Sequence, residues 1–138
     1  MNFNMRKDII HPVVEDVALA VVKEESLLVQ PEWTVYLINL KNVTIEGVLV
    51  SSKGYGNING EDVKTSTLRH FLDIVPAKSY AKVEQIMENL FGLNNEYWVS
   101  FYLNKLLYDK KYIFLPETIK EENFINIPLL NKRGVMIK

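Results

Sequence analysis

The chain has 138 residues, with 16 Lys and Arg against 17 Asp and Glu, no cysteine, 48% hydrophobic and 24% charged side chains. A formal net charge of -1 excludes binding of nucleic acid or anionic membrane by bulk charge alone. Zero cysteines exclude disulfides, thiolate nucleophiles, zinc-thiolate centres and iron-sulfur ligation.

In Met1-Asn2-Phe3-Asn4-Met5-Arg6-Lys7-Asp8 two basic residues lead to no apolar core, because Ile9-Ile10 runs directly into His11-Pro12. No signal peptide is expected from that pattern. The longest apolar run, Val17 to Val22, is six residues, where a membrane helix needs about twenty. The expectation is a soluble cytoplasmic protein without a membrane partner. At this length one domain is expected, residues 1–138, burying roughly two-thirds of its unfolded surface.

Beyond that segment the chain alternates with period two or runs apolar in short bursts, which predicts strands. They fall at Val14 to Lys23, Trp33 to Leu40, Val43 to Ser52, Thr65 to Val75, Tyr80 to Met87, Tyr97 to Leu103 and Leu106 to Leu115, all rich in Val, Ile, Thr and aromatic residues. Turn chemistry separates them at Pro31-Glu32, Lys41-Asn42, Asn59-Gly60, Pro76-Ala77, Asn94-Asn95 and Asn104-Lys105. Asn42-Val43-Thr44 forms a sequon, read as a turn entering a strand.

A two-residue loop at Asn104-Lys105 would fix the register of the last hairpin. It pairs Leu103 with Leu106, Phe101 with Tyr108 and Tyr97 with Tyr112 on one face, and Ser100 with Asp109 and Trp98 with Lys111 on the other. Lys111 then lies over Trp98 as a cation-π pair. Lys110 falls opposite Val99, which suits a sheet edge from which the lysine stem reaches water.

Ser79 to Gly92 admits two readings. Tyr80, Val83, Ile86, Met87, Leu90 and Phe91 also have helical spacing, with Ser79 as N-cap and Gly92 as C-cap. The preceding Asp73-Ile74-Val75-Pro76-Ala77-Lys78 favours strand, sharp turn, strand. The expected fold is therefore all-β, a seven-stranded antiparallel immunoglobulin-like sandwich over residues 13–115 with a C-terminal extension over 116–138; the alternative is α+β with a helix at 79–91. Residues 105–138 carry a local charge of +3 against -4 for the remainder.

The chemical inventory is sparse. Gly54-Tyr55-Gly56 lacks the third glycine of a dinucleotide loop and the lysine of a P-loop. Asn57 to Asp62 has glycine in the right place for a calcium loop but Tyr55 and Ser66 where acidic ligands belong. Both read better as a hairpin with a type I′ turn at Asn59-Gly60. His11 and His70 have no second ligand at metal spacing. Ser66, His70 and Asp73 supply the residue types of a hydrolytic triad, but on a strand the third points away from the first two. Arg69 and Phe71 share one side of that strand, Leu68 and His70 the other.

The aromatic set Trp33, Tyr36, Tyr55, Trp98, Tyr102, Tyr108 and Tyr112 is the richest feature. A sandwich core must take most of it, and an exposed subset beside Lys53, Arg69 and Lys111 would make a binding surface. Lys53, Tyr55, Arg69, His70, Trp98 and Lys111 are the candidate binding residues. No catalytic residue, metal ligand or cofactor is expected.

The strings Trp33-Thr34-Val35-Tyr36-Leu37-Ile38-Asn39, Val50-Ser51-Ser52-Lys53-Gly54-Tyr55-Gly56, Ser66-Thr67-Leu68-Arg69-His70-Phe71, Asn95-Glu96-Tyr97-Trp98-Val99-Ser100-Phe101 and Tyr108-Asp109-Lys110-Lys111 resemble a family of small bacterial proteins, some of which bear the name phenylalanyl-tRNA synthetase beta subunit. The resemblance spans nearly the whole chain. It implies an RNA-associated role by name only, because a true beta subunit is several times longer and no synthetase residue carries over. Three roles follow as expectations: a non-catalytic interaction or scaffold module with a protein partner or a second copy of itself, an RNA- or tRNA-associated module acting through a local patch, and, last, a small hydrolase using His70.

Overall fold

The computed structural model describes residues 12–25 and 30–138; the N-terminal segment read above for a leader, and His11, lie outside them. Among the described residues the fold is all-β, two antiparallel sheets packed as a sandwich, built from ten strands. These are β1 (Val17–Glu24), β2 (Glu32–Asn39), β3 (Ile45–Ile58), β4 (Glu61–Lys64), β5 (Leu68–Val75), β6 (Ser79–Ile86), β7 (Asn94–Leu103), β8 (Leu106–Phe114), β9 (Ile125–Ile127) and β10 (Lys132–Ile137). The first sheet has the order β6-β2-β1-β10-β9. In the second, β4 and β5 lie end to end along one edge of β3, followed by β7 and β8.

Alternation places the core between the sheets. Val17, Leu19, Val21, Val35 and Leu37 of the first sheet meet Ile45, Val48, Val50, Tyr97, Val99, Phe101, Tyr112 and Phe114 of the second. The run Val17 to Val22 is buried on both faces, because Ala18, Ala20 and Val22 form a second, smaller cluster with Ile38 and Ile127 on the outer side of the first sheet. A strand buried on both sides needs no polar alternation, which is why this stretch reads as continuous apolar sequence.

Three strands go beyond the seven expected from sequence. β4 forms because Asn59 and Gly60 both adopt positive φ, the type I′ geometry that turns β3 back on itself. β9 and β10 belong to the stretch expected as an extension. It folds back so that β10 pairs with β1, Val22 opposite Gly134. The strand expected from Thr65 starts at Leu68 instead, since Thr65 closes on β3 through Gly54: its Oγ1 accepts from the Gly54 N–H at 2.8 Å.

The 79–91 segment is strand β6 followed by a short 3-10 turn at Glu88–Leu90. A bulge explains the helix-like spacing. β6 inserts an extra residue between Lys82, opposite Tyr36, and Glu84, opposite Val35. Val83 and Ile86, three residues apart, thereby both face the core.

The last hairpin adopts the expected register, with Leu103 opposite Leu106, Phe101 opposite Tyr108, Tyr97 opposite Tyr112 and Trp98 opposite Lys111. Asn104 and Lys105 both have positive φ.

β10 approaches β1 closely at one glycine. A Cβ on Gly134 would lie 2.3 Å from the Val21 carbonyl oxygen and 3.0 Å from the Val22 Cα. Backbone cannot yield as a side-chain tip would, so Gly134→Ala is expected to lower stability by about 1–3 kcal/mol, read as a fall in urea midpoint at unchanged slope.

Candidate functional site

Side chains of β3 alternate strictly between core and solvent over its middle: Val48, Val50 and Ser52 point inward, and Leu49, Ser51, Lys53 and Tyr55 outward. Register extends this phase across the sheet. Arg69 of β5, Ser51 of β3, Trp98 of β7 and Lys111 of β8 form one outward row over four strands. The next row is Phe71, Leu49, Ser100 and Asp109, and a third sets Glu46, Tyr102 and Leu107 side by side.

Five of the six candidate binding residues, Lys53, Tyr55, Arg69, Trp98 and Lys111, therefore share the outer face of the second sheet. Around them lie Phe71 and Leu107, which sequence reasoning missed as surface groups, and Tyr102, which it placed in the aromatic set but not among the candidate binding residues; Phe71, Tyr102 and Leu107 are at least half exposed at 67%, 50% and 50%, beside Trp98 at 48%. Their signal lay in the register, since each sits in the same phase as Trp98 or Ser51. Of the aromatic set, Trp33 and Tyr112 are core residues.

The face is preorganised by local pairs. The Lys111 ammonium lies 5.0 Å from the Trp98 ring centroid, and the Trp98 Nε1–H donates to Asp109 Oδ2 at 3.4 Å. Glu96, almost fully buried, gathers Lys53 at 3.7 Å and accepts from the Tyr55 hydroxyl at 3.1 Å. Burial, then the hydrogen bond to Glu96 and its charge, pushes the Tyr55 phenol above its ordinary pKa and keeps it a donor. Tyr102 lies over Gly47, a positive-φ glycine at a bulge of β3, where a Cβ would come 3.1 Å from the ring. Among the described residues Arg69 has no ion-pair partner.

His70 is separated from the other five. It points to the margin between the sheets, where its Nε2 lies 2.7 Å from Glu84 Oε1. The same carboxylate accepts from Ser52 Oγ at 2.8 Å and, through Oε2, from the Tyr97 hydroxyl at 2.9 Å. Burial, then the charge and hydrogen bond of Glu84, drives the Tyr97 phenol far above its ordinary value, so it remains a donor. The β6 bulge turns Glu84 inward.

This cluster has the residue types of a hydrolytic triad in the wrong order. The carboxylate stands between serine and histidine, whereas a triad needs the histidine there to take the serine proton. Ser66 and Asp73 are exposed, Asp73 in a positive-φ conformation, and neither bonds His70. Among the described residues no three His, Asp or Glu side chains converge as a metal cage, and no helix is long and apolar enough to cross a membrane.

The free edges of both sheets are blunted. β5 carries a bulge with Asp73 at φ 60°, β6 carries the bulge at Val83, and β9 is three residues long. β4 reads Glu61-Asp62-Val63-Lys64. On β8, Lys110 faces inward opposite Val99, its ammonium 5.1 Å from the Tyr112 ring centroid. Bulges, short strands and edge charges discourage strand addition, so the open surface is the face.

Comparison with known protein families, curated proteins and solved structures gives no match for the chain.

If Glu84 is a structural tie, its loss strands the buried Tyr97 hydroxyl. Glu84→Ala is expected to cost about 2–3 kcal/mol, Tyr97→Phe about 1 kcal/mol, and His70→Ala less, because water reaches the half-buried imidazole. Urea midpoints of the three variants test that order.

Proposed function

We propose that the protein is a non-catalytic intracellular interaction module, an immunoglobulin-like sandwich that holds a protein partner against the outer face of its second sheet. The observation that carries this reading is the set Phe71, Trp98, Tyr102 and Leu107, open to solvent on a rigid four-stranded surface whose edges are blunted. Exposed aromatics on a fixed backbone are the anchors from which interface hot spots are made. The charges on the face favour protein over nucleic acid: Lys53, Arg69 and Lys111 stand among Glu46, Glu96 and Asp109, leaving no net attraction for a phosphate backbone.

The immunoglobulin-like reading is supported by strand order. β2 lies beside β6 in one sheet and β3 beside β7 in the other, so two of the four crossings between sheets, β2 to β3 and β6 to β7, interlock. Asn95 at the start of β7 donates to the Leu90 carbonyl at 2.9 Å and the Leu93 carbonyl at 3.2 Å, fixing the β6 to β7 crossing.

The test removes the anchors without touching the core. A partner captured from native lysate is identified and purified, and its affinity for the wild-type chain is measured. Phe71→Ala with Trp98→Ala is expected to weaken it at least about tenfold, with the unfolding midpoint nearly unchanged. If the partner is a second copy, the same variant is expected to be monomeric by sedimentation. Equal affinity of wild type and variant overturns the reading.

A second reading, an RNA- or tRNA-associated module, rests on Lys111 stacked over Trp98 with Arg69 in the same row, and on the resemblance to proteins bearing the synthetase name. It expects tRNA binding that weakens with salt and is lost in Trp98→Ala plus Lys111→Ala. Absence of binding at low salt ends it.

A further inference from the structure

β4 and β5 do not meet. Thr65, Ser66 and Thr67 interrupt the edge of the second sheet beside Ser52, Lys53 and Gly54. The interruption opens a cleft of about 210 Å³ on the outer face, lined chiefly by Ser51, Lys53, Thr67, Arg69, Glu96 and Trp98. Its chemistry is specific: one guanidinium without an ion-pair partner among the described residues, two hydroxyls, an indole wall, and a lysine already engaged by Glu96.

We infer that this notch receives the carboxylate of an acidic side chain in the partner segment that lies across the sheet, with a neighbouring apolar residue of that segment on Trp98. The inference rests on the interaction-module reading and adds the chemistry of the partner.

Charge sets the choice of anion. Lys53 and Glu96 cancel, so the notch presents the single positive charge of Arg69, which a carboxylate balances. A phosphate monoester, carrying close to two charges at neutral pH, would crowd the buried Glu96 carboxylate. Arg69 presents a planar fork that matches a carboxylate's two oxygens, and the Ser51 and Thr67 hydroxyls supply further donors. The volume suits a carboxylate on a short stem. The apolar contact also has a place, because Trp98 bounds the notch and Phe71 stands one row further on.

The experiment uses the whole chain, labelled with nitrogen-15, and four blocked dipeptide probes: acetyl-Glu-Phe-amide and its Gln, phosphoserine and Lys counterparts. The chain has two tryptophans. Trp33, whose Nε1–H is held by Glu88 at 2.7 Å away from the notch, is an internal reference for the Trp98 indole signal. The expected result is a shift of the Trp98 indole and of the Ser51, Thr67 and Arg69 amides by the Glu probe at millimolar concentration. The Gln probe should bind about tenfold more weakly.

Arg69→Gln should abolish the difference between the two probes, and Arg69→Glu should reverse the preference towards a Lys-Phe probe. Equal shifts by the Glu and Gln probes, no shift at the notch, or tighter binding of the phosphoserine probe overturns the assignment. The two levels of the argument separate. If the acidic probe fails while Phe71→Ala with Trp98→Ala still loses its partner, the carboxylate assignment falls and the module reading stands. If that variant keeps its partner, the module reading falls.

Discussion

The fourteen residues of β3 are the constraint from which the second sheet follows. A strand must send successive side chains to opposite sides, so placing Val48, Val50 and Ser52 against the first sheet obliges Leu49, Ser51, Lys53 and Tyr55 to face water. Hydrogen-bond register then copies that phase onto β5, β7 and β8, and the row Arg69, Ser51, Trp98, Lys111 follows. Moving one neighbour by a single residue would put Tyr97 or Phe101 on the surface and Trp98 in the core. The cost of exposing those buried rings holds the register, and with it the composition of the candidate face.

Two polar groups, Asn39 buried and Glu84 partly so, join what the apolar core only presses together. Asn39, with no exposed surface, donates to the carbonyls of Val43, Val75 and Pro76 and accepts from the Lys41 amide, tying the β2–β3 turn to the corner where the chain returns to the first sheet. Glu84 does the same along the margin, reaching from β6 to β3, β5 and β7. Each lone pair these groups use is committed to holding the two sheets in one arrangement. Among the described residues no buried side-chain polar atom lacks a partner.

This division is the physical ground for placing the proposed interaction on a face. The free edges carry bulges and inward charge, and the cleft of about 210 Å³ at the margin between the sheets is lined by Ser52, Glu84 and Tyr97, whose hydrogen bonds are already made to one another. The outer face of the second sheet keeps large aromatic and aliphatic groups in water, at a free-energy cost that natural monomers meet only over small areas. The interruption between β4 and β5 gives that face relief, setting a guanidinium beside an indole where an unbroken edge would be flat.

Much of this is legible in the sequence. Alternation and turn residues determined an all-β chain, and Asn104-Lys105 determined the register of the last hairpin down to Lys111 over Trp98, because a two-residue turn leaves no freedom in pairing. Residue type alone proposes Lys53, Tyr55, Arg69, His70, Trp98 and Lys111, and alternation within the strand already separates His70 from Arg69. Glu84 was not legible. The bulge that turns it inward makes β6 look like a helix, with Val83 and Ile86 three apart, and only pairing with β2 distinguishes the two. β10 was hidden for a related reason. Lys132-Arg133-Gly134 has no strand pattern of its own, and it is a strand because β1 offers an edge that only glycine can approach so closely. Local sequence thus determined which segments are extended and which way their side chains alternate, since those are properties of a single chain. Which strands lie side by side, and so which side chains share a face, was decided by burial and hydrogen bonding between segments distant in sequence.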